Sequence, residues 1–131
     1  MTASANFSVV ADPARDLVRI TLSGFFDDAS IREFLDARRA AHAQLRCGPN
    51  QHLTIADTRL IAIQTQDMVG RWGDAIADPA HRARRLGFVV GPTLARLQLR
   101  RAIGSRDAQV FTDYAEAEAW VLAAGPASRA A

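Results

Sequence analysis

The sequence predicts an α/β fold: one domain with a mixed sheet of about five strands and four helices, in the order ββαβαβαβα. Three observations carry this. At 131 residues, 49% hydrophobic and 23% charged, the chain can bury one core of ordinary size and is too short for two domains. Its first apolar runs alternate with a period of two. Beyond them, short apolar runs alternate with helical patterns long enough to cross between parallel strands.

Phe7 to Ala11 and Leu17 to Ser23 are expected to be strands, the second alternating Val18, Ile20 and Leu22 against Arg19, Thr21 and Ser23. The intervening ADPARD supplies turn residues, which makes a half-buried hairpin. A helix follows to about Arg46, with Asp28 or Ser30 as its N-cap. Ile31, Phe34, Leu35, Ala41 and Leu45 share its apolar face; Arg38 falls in the middle of that face and His42 lies beside it. Gly48 and Pro49 end this stretch.

Leu53 to Ala56 is the third strand, and a loop leads to Thr65, the expected N-cap of a helix from Gln66 to about Ala77. Met68, Val69, Trp72, Ala75 and Ile76 form its apolar arc, while Asp67, Gly70, Arg71, Asp74 and Asp78 lie opposite. LGFVV is a fourth strand closed by Gly91 and Pro92, and a helix is expected from there to about Ile103. Gln109 to Phe111 is a last strand. Asp113 and Glu116 open a last helix with Tyr114, Ala117, Trp120, Val121 and Ala124 on one side. Residues 1–6 are expected to be a flexible start, 7–124 the domain and 125–131 a disordered tail.

Composition narrows the function classes. All 16 basic residues are Arg, opposed by 14 acids, so the net charge of +2 gives no overall polyanion-binding character despite a pI of 9.5. No leader-like start and no 18-residue apolar run is seen, so a cytoplasmic protein without a membrane segment is expected. The single Cys47 allows no internal disulfide and no cysteine metal cluster. No dinucleotide, P-loop or nucleophile-elbow pattern occurs, and His42, His52 and His81 lack paired ligand spacing. Neither a metal nor a cofactor is expected.

The element order, the DTRLIAIQTQDM segment after the third strand and the ending VFTDYAEAEAWVLAA resemble the STAS superfamily, and within it the SpoIIAA-like branch. The resemblance spans Phe7 to Leu122, and its most specific piece is Phe111 with Ala119 and Trp120. In the anti-sigma factor antagonists of that superfamily, the resemblance implies an Asp ending the third strand and a phosphorylatable Ser opening the second helix. Asp57 matches the first feature, but Asp67 occupies the acceptor position, so kinase-controlled partner switching is not implied. The Thr65 hydroxyl serves either as the N-cap or as a substitute acceptor. Ligand roles suggested for the SpoIIAA-like branch include small apolar molecules and lipids.

Two further features bear on partners. Arg38 amid apolar residues either clamps a ligand carboxylate or phosphate, or runs its stem across the helix edge to solvent. Arg82, Arg84, Arg85, Arg96, Arg100, Arg101 and Arg106 form either a surface for an acidic partner or a membrane surface, or a solvated face; no interleaved aromatics suggest nucleic acid. Leu97 among these charges would be the contact of a homodimer.

The expectation is a non-enzymatic STAS-like interaction or regulatory module, with an unidentified protein partner at Thr65, Asp67 and Arg71. The alternative is binding or sensing of a small apolar or lipid-like ligand with an acidic head group, held by Arg38, His42, Met68 and Trp72. An uncharacterised enzyme is the third reading.

Overall fold

In the computed structural model, which describes residues 4–91 and 108–125, five strands form one mixed sheet in the spatial order of the chain. They are β1 (Asn6–Asp12), β2 (Leu17–Gly24), β3 (Leu53–Ile61), β4 (Arg85–Val89) and β5 (Ala108–Phe111). β1 runs antiparallel to β2, and β2 through β5 are parallel. Three helices are described: α1 (Asp28–His42), α2 (Gln66–Ala77) and α3 (Tyr114–Leu122). The fourth helix expected from Pro92 to Ile103, with Leu97 and the dimer contact assigned to it, lies outside the described residues, as do Arg96, Arg100, Arg101 and Arg106.

The period-two pattern of the strands sorts the core into two layers. On one face, Val18, Ile20 and Leu22 of β2, Ala56 of β3 and Leu86 and Phe88 of β4 pack against α1 through Ile31, Phe34 and Ala41. Met68 and Trp72 of α2 complete this layer. On the other, Leu17, Leu53, Ile55 and Val89 pack against Ala117 and Val121 of α3. α3 approaches so closely that a Cβ on Gly87 would lie 2.9 Å from Val121 Cγ2, which is why glycine stands in β4 there.

Caps set the helix starts. α1 begins one residue before expected because Asp27 is its N-cap, in a capping box with Ser30. It ends at His42 instead of continuing to Arg46, because the buried Asp16 carboxylate accepts from the amides of Arg46 and Cys47 and pulls them out of helical geometry. Thr65 Oγ1 accepts from Met68 N and caps α2, and Asp113 accepts from Glu116 N at the start of α3.

β3 corrects the sequence reading most. It does not stop near Asp57 but continues to Ile61, because Leu60 and Ile61 pair with Ser23 and Gly24 beyond a register shift. Asn6, assigned to a flexible start, is the first residue of β1, and Ser4 bridges Phe25.

Part of the Arg group is structural. Arg84 donates to the carbonyls of Gln51, Ala124 and Gly125, and Arg85 to that of Trp120 while lying over its ring at 4.7 Å. Trp120 lies in the last turn of α3 and Ala124 and Gly125 just beyond it, where the helix leaves acceptors unsatisfied and a cation suits its dipole. No described helix is long and apolar enough to cross a membrane.

Candidate functional site

The inward face of β3 carries Thr54, Ala56 and Thr58, three small residues in the middle of a sheet whose opposite face presents Leu53 and Ile55. Small side chains under two helices leave space, and a cavity of about 90 Å³ lies between β2, β3 and β4 below and α1 and α2 above. Ile20, Leu22, Phe34, Trp72, Leu86 and Phe88 make most of its wall apolar. Ile61, Ala62 and Gln64 close one side. Gln64 is held there by accepting from Phe26 N and donating to the carbonyls of Gly24 and Ala62.

Arg38, on α1, lines this cavity and does not reach solvent: its side chain is 11% exposed. This overturns the reading in which its stem crosses the helix edge. Its Nη1 donates to Ala75 O at 2.8 Å, and Nη2 lies 3.8 Å from Asp78 Oδ2, too far for a hydrogen bond. Its Nε is buried with no acceptor. Burial pushes the guanidinium pKa down, and Asp78 offsets only part of that.

Trp72 packs edge-on against Phe26 at 5.1 Å and tilted against Phe34 at 5.3 Å. Its Nε1, also buried, has no acceptor. Two orphaned donors among residues lining one apolar cavity are an unusual expense for a folded chain, about 1–3 kcal/mol each.

Three histidines that are far apart in sequence meet at this site. His42 ends α1, His52 precedes β3 and His81 sits in the turn after α2. Asn50 ties the last two segments together by donating to the carbonyls of Pro79 and Arg82. The His42 and His52 rings lie 4.2 Å apart, and His42 Nδ1 and His81 Nδ1 are 3.0 Å apart. Burial first, then the neighbouring His52, His81 and Arg38, push His42 down to about 3, and burial also lowers His81. Both are therefore neutral near pH 7, one donating to the other. Among the described residues no group of three His, Cys, Asp or Glu side chains has an arrangement that could hold a metal ion.

Of the four residues assigned to a ligand site, Arg38, His42 and Trp72 line the cavity and Met68 does not; Met68 is buried in the adjoining core, and Val69 occupies the wall. The three residues assigned to a partner surface lie at the start of α2. Thr65 and Asp67 are exposed, whereas Arg71 is half-buried and ion-paired with Asp28 of α1. Next to them, Leu60 and Ile63 are 75% and 51% exposed. Thr54, Thr58 and Gln64 were not singled out from sequence, and His81 only as a histidine without ligand spacing. The Thr-Ala-Thr alternation of β3 was the signal that could have indicated the cavity.

Comparison of the chain with protein-family models, with curated proteins and with solved structures finds no match.

Proposed function

We propose that this chain is a binding module, a carrier or sensor, for a small molecule with an apolar body and a hydrogen-bond-accepting head. The observation that carries the reading is the pairing of an apolar cavity of about 90 Å³ with two buried donors, Arg38 Nε and Trp72 Nε1, that lack acceptors. An occupant with an acceptor would relieve a cost the empty fold bears, while its apolar part would fill space the core leaves open. A pocket of this kind, mostly apolar with a few convergent polar groups, is the general form of a small-molecule site.

Native mass spectrometry of freshly purified protein, compared with Ala56→Leu, tests this. A bound small mass or ready uptake from a fragment mixture is expected for the wild type and not for the filled variant. Equal behaviour of the two would remove the cavity from consideration.

A second reading, protein interaction at the start of α2, draws support from the exposed Leu60 and Ile63 beside Thr65 and Asp67. The two readings share a segment. Ile61, Ala62 and Gln64 face the cavity, and Leu60 and Ile63 between and beside them face outward. Occupancy could thus be reported to a partner, as in a regulatory module of STAS-like descent. Loss of a captured partner in Leu60→Asp with Ile63→Asp is the expected result; undiminished capture would exclude this surface.

A further inference from the structure

Resting on the ligand-binding reading, the geometry points to a more specific occupant: we infer that the cavity takes a short-chain aliphatic monocarboxylate, bound as the anion on the Nε and Nη2 edge of Arg38. Three observations restrict the ligand. Size is the first. A cavity of about 90 Å³ is smaller than the roughly 150 Å³ that takes benzene, and so holds about four to six non-hydrogen atoms. Propionate has five and butyrate six, whereas a membrane lipid or a nucleotide exceeds the space several-fold.

Charge is the second. Among the described residues lining the cavity there is no carboxylate, and Arg38 is the cation. Its counter-ion Asp78 stands 3.8 Å away and is 39% exposed, so the guanidinium is incompletely neutralised. His42 and His81 share one proton through their Nδ1 atoms and add no charge near neutral pH. A single positive group suits a monoanion better than a phosphate dianion.

Geometry is the third. Arg38 Nη1 is committed to Ala75 O, but Nε has no acceptor and Nη2 is beyond hydrogen-bond distance of Asp78. These two N–H groups form one side of the guanidinium fork, the side on which a carboxylate can accept two parallel bonds. The hydrocarbon tail would lie over Thr54, Ala56 and Phe88.

Isothermal titration of the full chain with butyrate, hexanoate, decanoate, butyramide and 1-butanol at pH 7 tests this. Butyrate is expected to bind at about 1 mM or tighter, with hexanoate weaker and decanoate and the two neutral probes at least about tenfold weaker. Arg38→Met should weaken the carboxylates by about 10–100-fold and 1-butanol by much less. The ligand series needs only wild-type protein, so the test does not depend on the variant folding. Decanoate binding more tightly than butyrate would overturn the size limit. Neutral probes matching butyrate would overturn the carboxylate assignment and leave the small-ligand site standing. Failure of every probe, neutral ones included, would overturn both.

Discussion

His42 Nδ1 and His81 Nδ1 lie 3.0 Å apart, so one ring must donate and the other accept, and both cannot carry a proton at the shared edge. His42 is pushed down to about 3, chiefly by burial. A histidine whose folded pKa falls below its unfolded value near 6.5 holds its stabilising contribution above about pH 6.5 and loses it as pH falls towards 3, because the unfolded chain takes up the proton first. Urea unfolding is expected to show a loss on the order of 1–2 kcal/mol between pH 6.5 and pH 4.5, after discounting for the solvent His42 still meets. The loss should be clearly smaller in His42→Leu. Equal pH slopes in the two proteins would contradict this account of the pair.

Arg38 should trade stability against binding. Its burial is only partly offset by Asp78 and Ala75 O, so Arg38→Met is expected to leave unfolding free energy within about 1 kcal/mol of wild type or to raise it. A loss above about 3 kcal/mol in denaturant titrations would mean that the guanidinium is a structural clamp.

Ala56→Val adds two methyl groups towards the cavity. In a filled core such a change costs about 1–3 kcal/mol, but here the side chain meets empty space and the expected change is within about 1 kcal/mol. Thermal unfolding of the variant in the absence of ligand provides the comparison.

Gly87→Val tests the opposite face. With Val121 Cγ2 2.9 Å from the position of a Cβ and Ala117 O at 3.6 Å, α3 would have to move off β4. The expected cost is about 2–3 kcal/mol, and a neutral result would contradict the packing of α3 on the sheet.

Local chemistry made much of the fold legible in the sequence. The alternation of Val18, Ile20 and Leu22 reports β2, and Thr65 and Asp113 mark helix starts because each side chain satisfies an amide three residues on. The end of β3 was hidden because Asp57, Thr58 and Arg59 look like loop residues. Asp57 does pair with Arg59 locally, but sheet pairing to β2 decides the backbone. The end of α1 was hidden for a similar reason: its competitor is Asp16, 30 residues upstream of Arg46.

The candidate site was legible in pieces. Arg38 and Trp72 were visible through helical periodicity, since a charged group on an apolar face must be explained. The histidine cluster was not, because three separate segments carry His42, His52 and His81, and long-range contacts such as those of Asn50 bring them together. Met68 falls in the filled core and not on the cavity wall, a difference that periodicity, which identifies only a buried arc, does not reveal.

The chain has two tryptophans, so its ¹H–¹⁵N spectrum holds two indole signals, and only Trp72 lines the cavity. Titrating wild-type protein with butyrate, and with 1-butanol as the neutral member, while following both signals tests the ligand-binding account most directly. The Trp72 Nε1–H signal is expected to move saturably with butyrate, while that of Trp120, beneath Arg85 on the outer helix, stays in place. If neither ligand moves the Trp72 signal at concentrations of tens of millimolar, or if both indoles shift together without saturating, the cavity is not a binding site.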